Sequence, residues 1–527
     1  MKKNILLITS MLLLNGCSFS SNLHNRYESL NSVPSYIVST DSSMLDKVEF
    51  VVPNDGKGIK EREFFTKYSD LHDFSYVLDN INKVEDEKAK TELTEVYNVF
   101  NNNPFHYSNN YTGKYSGYNM INIIGETLEI RFAHPILTPN LWNIMNNSMY
   151  FENYYVSEFQ EGATCNTEFM SHASLFPVVT SIWSGNMCQN ENTTNDIFKY
   201  AMPAQLEANG YNSYYFHLGY RGFYNRGNFI PNFGFKKSNV KFMQDLGYYN
   251  GNVTDNHNIE FFERFIDYSK PFYVSNLTYS MHGGYDDESL GVNSERANRV
   301  LEALDKPLTY FDDMIQVFYY LQKLTYFDDY LGDLLNLLEE KGVKDKTLIN
   351  IYRDHSPYMM NSDHYTKYMQ RYHPEMDYHK SSIERYNHPL LIYDCGNPKK
   401  EIIKYAGSTI DLVPTFLNLL GFNEENVSYR HFMGQDMLSG NSVAFLSQQS
   451  TSNTNNLVID DNNNILEFGK LNNFSGDQVS YNYLYYYLNL YQHYVNVIMK
   501  YIVDNNYFEY YYYYVDEVID ENENENY

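Results

Sequence analysis

The chain has 527 residues, 43% of them apolar by type, enough to bury a large core, so wholesale disorder is excluded. Against 39 Lys and Arg stand 66 Asp and Glu, a formal net charge of −27. That balance argues against a nucleic-acid partner, which needs a basic stripe, and against docking on anionic lipid by charge alone.

At the N-terminus, Lys2 and Lys3 precede a mostly apolar run, Ile5–Leu14, and then Asn15-Gly16-Cys17. The run is too short to cross a bilayer as a helix but fits the apolar region of an export signal. Gly16 directly before Cys17, with Leu14 at the third position before the cut, resembles a bacterial lipoprotein signal over 1–17. Cys17 then becomes the lipidated first residue; an ordinary export signal with an incidental Cys is the alternative. Each buried CH₂ of the acyl chains contributes about 0.8 kcal/mol to the membrane attachment that an acidic surface lacks. No later segment offers the roughly 18 consecutive apolar residues of a membrane helix. The rest of the chain is therefore expected to be lipid-anchored on the outer face of the bacterial cell membrane.

Residues 18–115 read as a polar tether and helical lead-in, with a helix around Glu85–Phe100 broken by Asn101-Asn102-Asn103-Pro104. Over 116–445, short apolar runs (Met120–Ile124, Ser213–Leu218, Phe272–Leu277, Thr347–Tyr352, Leu390–Tyr393) alternate with amphipathic stretches. Leu331, Leu334, Leu335 and Leu338 recur at helical spacing and predict one buried helix face within Tyr310–Lys341. Strands alternating with helices predict an α/β fold, a mostly parallel sheet covered on both sides. Residues 446–515 read as a C-terminal subdomain, with a hairpin over Leu457–Phe468 and a Tyr-rich helix over Val479–Phe508; 516–527 read as an acidic disordered tail. Of Cys165, Cys188 and Cys395, the first two are the natural disulfide by proximity, and three buried free thiols are the alternative.

In such folds the chemistry gathers at the carboxyl ends of the strands. After the first run comes Glu126; after Phe272–Leu277 comes His282; after Thr347–Tyr352 come Arg353-Asp354-His355; and Thr164 lies in Gly162-Ala163-Thr164-Cys165. A carboxylate, an Asp-His pair and a hydroxyl at neighbouring strand ends suit one divalent ion. A threonine hydroxyl is a poor nucleophile at neutral pH until metal coordination lowers its pKa. Mixed oxygen and imidazole ligands suit Mn²⁺ or Zn²⁺ and do not choose between them; Mn²⁺ is the ion expected first, with Zn²⁺ or Mg²⁺ as alternatives. Taken singly, each residue has an ordinary reading as a cap, a hydrogen-bonded turn or an ion pair.

Five stretches in order, Asn122-Ile-Ile-Gly-Glu126-Thr, Thr138-Pro-Asn-Leu141, Gly162-Ala-Thr164, Tyr352-Arg-Asp354-His355 and Ser408-Thr-Ile-Asp411-Leu-Val-Pro-Thr415, resemble the sulfatase/alkaline phosphatase-like superfamily. Within it the order resembles lipoteichoic acid synthases and related phosphoglycerol transferases, as do Phe223-Tyr224-Asn225-Arg226 and Phe233-Gly234-Phe235. The resemblance implies a central sheet between helices, with Glu126, Thr164, Asp354 and His355 binding the metal and Thr164 as nucleophile. It implies Tyr224, Arg226 and His282 as substrate contacts, Arg226 on the phosphate and His282 at a phosphoryl or leaving oxygen. The donor would be phosphatidylglycerol, and the acceptor an envelope glycolipid or polymer.

Several departures bear on this. Known synthases of the type carry a multi-helix membrane domain where this chain has the export signal. Arg353 stands where the family usually has Gly, adding a cation beside the metal, and Tyr224 stands where Trp is usual. Met281-His282-Gly283-Gly284-Tyr285 also resembles the related phosphoethanolamine transferases. A phosphoethanolamine transferase or phosphodiesterase on the same core is therefore the first alternative, and a non-catalytic envelope-binding lipoprotein the second. Sulfatase chemistry needs a Cys or Ser convertible to formylglycine before Pro and Arg, and Cys165-Asn-Thr-Glu168 lacks both. His364, His373, His379 and His388 read as loose surface histidines, with a second metal or substrate ligand among them as the alternative.

Overall fold

A computed structural model describes residues 75–510, apart from 104–107, 160–163, 179–199, 250–251, 375, 377–382, 424–426, 428, 441, 450–453, 469–473, 475 and 509. The export signal with Cys17, the tether through residue 74, Gly162-Ala163, Cys188, His379 and the acidic tail lie outside the described residues.

The five apolar runs form five strands: β1 (Asn119–Gly125), β4 (Asn212–His217), β6 (Phe272–Leu277), β7 (Thr347–Arg353) and β8 (Leu390–Asp394). With the short β2 (Met149–Phe151), β5 (Val240–Phe242) and β9 (Glu401–Ile403) they make one sheet in the order β5-β4-β6-β1-β7-β8-β2-β9. Its ladders are parallel except at β8, which runs antiparallel to both neighbours. The expected mostly parallel sheet flanked by helices is what the chain forms.

Why the central strands read as unbroken apolar runs is visible in β1. Met120 and Ile124 point into one core and Ile121 and Ile123 into the other, because successive side chains alternate faces and both faces are covered. Asn122 is the exception, and it is satisfied. Asn350 Nδ2 donates to its Oδ1 at 2.7 Å, and its own Nδ2 donates to the Tyr273 hydroxyl at 3.3 Å. This polar rung crosses β7, β1 and β6 and fits only one register.

The helix Ile315–Glu340 covers one face. Leu331, Leu334 and Leu338 are fully buried and Leu335 lies at the margin, as the spacing predicts. Leu334→Ala is expected to lower unfolding stability by about 2–5 kcal/mol through the cavity it leaves, read from the midpoint of a urea titration.

Two features depart from the linear division of the chain. The helix Glu87–Asn101 shares a core with the Tyr-rich helices, Leu93, Val96 and Phe100 packing in one cluster with Ile498, Met499 and Ile502. Asn505 Nδ2 donates to Glu92 at 2.9 Å across that contact. β11 (Ala444–Gln449) runs across the expected boundary at 445 and pairs antiparallel with β12 (Thr454–Ile459), which forms the hairpin with β13 (Ile465–Glu467). A two-stranded pair, β3 (Tyr154–Tyr155) and β10 (Gly407–Ser408), completes the strands. Strands of two or three residues carry too little periodicity to be read from sequence.

Among the described residues no helix is long and apolar enough to cross a membrane. Cys165 is disulfide-bonded, and Cys395 is free and buried. The surface reading of His388 is corrected: it is fully buried, its Nε2 accepting from the Ile130 N–H at 3.2 Å.

Candidate active site

β1 and β7 are parallel neighbours with Gly125 opposite Arg353, so the segments leaving their carboxyl ends emerge side by side. Glu126 leaves one, Asp354 and His355 the other, and Thr164 opens the helix Thr164–Ala173 against them. One ligand atom from each of Glu126, Asp354 and His355 lies within 4.8 Å of the others. Thr164 Oγ1 donates to Glu126 Oε2 at 3.2 Å and sits 3.3 Å from His355 Nε2. At a helix N-terminus, that hydroxyl stands where the peptide dipoles favour negative charge.

Backbone groups hold these side chains in place. Asp354 Oδ1 accepts from the Thr127 and His355 N–H groups at 2.8 and 2.7 Å, which turns Oδ2 toward the site. Thr127 adopts φ +49°, an uncomfortable value for a β-branched residue, and is held there by its hydroxyl on Met281 O at 2.6 Å. Thr167 Oγ1 donates to Asp354 O at 2.6 Å, tying the helix that carries Thr164 to the same turn. His355 Nδ1 lies 2.9 Å from Ser356 O; a proton there leaves the Nε2 lone pair facing inward, the tautomer a metal ligand requires.

The residues present fit a cation. Glu126 Oε1 and Asp354 Oδ2 are buried without a hydrogen-bond partner, and His355 Nε2 lies 3.5 and 3.1 Å from them. Burial first, and the Asp354 carboxylate second, push the Glu126 carboxyl well above the usual carboxylate range. Two buried carboxylates and an imidazole converging with unsatisfied oxygens are short of positive charge.

Arg353 does not supply it. Its guanidinium turns away and pairs with Glu129 at 3.3 Å, so the expected cation beside the metal is spent beneath the site.

On the other side Arg226 is buried, its Nε donating to Glu168 Oε2 at 2.8 Å, and Glu168 Oε1 accepts from the Tyr215 hydroxyl at 2.5 Å. Consecutive left-handed residues, Tyr224 and Asn225 at φ +54° and +55°, fold the turn so that the Tyr224 ring lies 5.1 Å from the guanidinium. The Arg226 charge opposes the rise at Glu126 and adds to the lowering at His217, so its field reaches the candidate ligands and the end of β4. His217 is buried there, with Nδ1 3.1 Å from Leu277 O, and is held neutral by burial and then by Arg226.

His282 sits exposed beside this cluster, its Nδ1 on Gly283 O at 2.9 Å. The buried Lys323 holds its loop, Nζ donating to His282 O at 2.8 Å and Gly284 O at 2.7 Å. Burial pushes the Lys323 ammonium down to about 8 from an ordinary value near 10.5. Between those values the unfolded chain binds a proton that the folded chain does not, so stability rises with pH across the interval. Relative to Lys323→Met, the wild-type chain is expected to gain up to roughly 3 kcal/mol between pH 8 and 10.5, measured by urea unfolding at each pH.

Glu126, Thr164, Asp354 and His355 are thus brought together, with Arg226 and Tyr224 beside them on the Glu168 side. Sequence reasoning missed Glu168, His217, Thr127 and Lys323. Glu168 carried one usable signal, since four residues after Thr164 on one helix it shares a face with the nucleophile candidate. Lys323 carried none, lying mid-helix far along the chain from the loop it holds.

A family model described as Sulfatase matches residues 118–422. Lipoteichoic acid synthase 2 of Bacillus subtilis (strain 168) is 27% identical over 405 residues, 72% of this chain and 56% of that protein. The lipoteichoic acid synthase of Staphylococcus saprophyticus is 24% identical over 402 residues, 72% of this chain and 57% of that protein. The chain therefore spans about half the length of the curated relatives it matches. Among solved structures, the lipoteichoic acid synthase LtaP from Listeria monocytogenes superposes with a TM-score of 0.56 at 20% identity, covering 77% of this chain and 98% of that one. An alkaline phosphatase superfamily protein from Vibrio parahaemolyticus gives 0.51 at 17% identity, covering 83% and 97%. At these identities the two structures share the fold.

Proposed function

Because the chain belongs to the sulfatase family, we propose that it transfers phosphoglycerol from phosphatidylglycerol to a hydroxyl of an envelope glycolipid or polymer, with Thr164 as the covalent nucleophile. The observation that carries this reading is Thr164 Oγ1 seated at a helix start, 3.2 Å from Glu126 and 3.3 Å from His355. The similar lipoteichoic acid synthases support the donor and acceptor classes. Lipid anchoring through Cys17 would keep the domain beside its donor. Sulfate-ester hydrolysis is disfavoured, because Cys165, adjacent to Thr164, is engaged in a disulfide and no Pro or Arg follows it.

Glu126, Asp354, His355 and the Thr164 hydroxyl would hold one divalent ion, Mn²⁺ first. When bound, the ion lowers the hydroxyl pKa and neutralises phosphoryl charge. The Thr164 proton is directed at Glu126 Oε2 as Oγ1 closes on phosphorus. The bond from phosphorus to the diacylglycerol oxygen breaks, and His282, with Nδ1 held by Gly283, gives that oxygen its Nε2 proton; it must therefore enter the step as the imidazolium, the form that burial disfavours in the free chain. Arg226 faces the phosphoryl oxygens, oriented by Glu168 and backed by the Tyr224 ring. An acceptor hydroxyl then attacks the phosphoglyceryl-Thr164 ester and gives its proton to His282 Nε2, while the bond from phosphorus to Oγ1 breaks and Glu126 returns the first proton to that oxygen, restoring the threonine.

The test supplies the chain from Ser18 onward with Mn²⁺ and labelled phosphatidylglycerol in mixed micelles, and follows diacylglycerol release with and without EDTA. Metal-dependent release is the expected result. Release from phosphatidylethanolamine alone would reassign the head group, and release of free head group regardless of acceptor would make the chain a phosphodiesterase. No release from either lipid by a folded chain would leave the non-catalytic binding reading.

A further inference from the structure

Beneath the candidate ligands lies a charge cluster that the mechanism above does not use. Glu129, fully buried, accepts from Arg131 Nε at 2.6 Å and Nη2 at 2.8 Å, from the Tyr365 hydroxyl at 2.7 Å and from Arg353 Nη1 at 3.3 Å. Arg353 is also fully buried; Nη2 donates to Arg385 O, and Nε has no partner. Arg131 and Tyr365 already satisfy the Glu129 carboxylate, so Arg353 is a second buried cation on one anion. Its desolvation is poorly repaid as stability.

Its position in the chain gives it another use. Arg353 immediately precedes Asp354, and Glu129 follows Glu126 by one turn. The two turns bearing the candidate ligands are therefore cross-linked above by the Thr127 N–H on Asp354 Oδ1 and the Asp354 N–H on Gly125 O, and below by Arg353 on Glu129. The Tyr320 hydroxyl donates to Thr127 O at 3.0 Å and accepts from Glu129 N at 2.7 Å, stiffening the first turn between those links. Without a cation, the Glu126 and Asp354 carboxylates repel each other and would spread the turns. We propose that the Arg353–Glu129 pair is a clamp that holds the two turns at ligand spacing, making both residues positioning residues for the metal site. The proposal rests on the metal reading of Glu126, Asp354 and His355 given above, and its clamp is this chain's own, since Arg353 stands where the resembling family usually has Gly.

The test measures Mn²⁺ binding by calorimetry on the full chain, alongside thermal unfolding in EDTA. Arg353→Met removes the clamp but leaves Glu129 paired with Arg131. It is expected to weaken Mn²⁺ binding about tenfold or more while leaving the EDTA unfolding temperature unchanged or raised. An affinity within twofold of wild type would overturn the clamp, whatever the unfolding temperature does. Arg353→Lys, which keeps the charge and loses the planar fork, is expected to fall between and serves if Arg353→Met does not fold. There, weakening of threefold or more supports the clamp and a smaller change overturns it. A wild-type chain that binds no Mn²⁺, Zn²⁺ or Mg²⁺ would remove the metal reading and the clamp together, whereas wild-type binding unaffected by either substitution removes the clamp alone.

Discussion

Thr164→Ala is expected to abolish diacylglycerol release from phosphatidylglycerol, a loss of about 10³-fold or more, while leaving the unfolding temperature close to that of the wild-type chain. A covalent route has no substitute for its nucleophile, so the deficit should appear in kcat with little change in KM. The change deletes one hydroxyl, whose hydrogen bond to Glu126 is long, and one buried methyl group, together a cost of about 1–2 kcal/mol. Thr164→Ser keeps the hydroxyl at the same helix start and is expected to retain activity within roughly two orders of magnitude of wild type, losing the rotamer restriction of the branched side chain. Single-turnover kinetics with labelled donor, and mass measurement of the chain for an added phosphoglyceryl group, check both. Release that survives in Thr164→Ala would show that water or another residue attacks phosphorus directly, and the double displacement would fall.

Much of this arrangement is legible in the sequence because the chain solves one packing problem repeatedly. A strand buried on both faces must be continuously apolar, so Met120–Ile124 and Thr347–Tyr352 stand out, and the polar residues directly after them are forced to the sheet's end. Glu126, Asp354 and His355 stand out as candidates for this reason, and the fold brings them together. Arg226 was found through its motif, but its partner was not, because Glu168 and Arg226 meet by helix placement and no local pattern encodes a contact 58 positions apart. Arg353 shows the limit most clearly. Sequence alone puts a cation next to Asp354, while the alternation of a strand sends successive side chains to opposite faces, and the charge ends at Glu129 instead of at the ligands. His388 misleads for a related reason: its polar neighbourhood reads as surface, but the chain returns it beneath the sheet's end, beside Ile130.

Glu126→Gln is expected to act in opposite directions on the fold and on the function. In EDTA the variant should be more stable than wild type, by about 1–3 kcal/mol, because it replaces a buried charge facing the Asp354 carboxylate with a neutral amide of the same shape. The Thr164 hydroxyl can still donate to the remaining carbonyl oxygen, and the new amide N–H groups, placed where Oε1 stood, face the Asp354 carboxylate and the His355 Nε2 lone pair. In excess Mn²⁺ the order should reverse. A wild-type chain held at 100 times its dissociation constant gains about 2.7 kcal/mol from binding, and the variant, short of one anionic ligand, forfeits most of it. Urea unfolding of the two chains with and without metal checks this crossing, and diacylglycerol release should be lost in the variant under both conditions. A variant less stable than wild type in EDTA would mean that Arg226 and His355 already neutralise Glu126, so that the buried oxygens do not call for a cation. The metal reading would then have to stand on binding alone, since the carboxylate it invokes would be a structural charge of the fold.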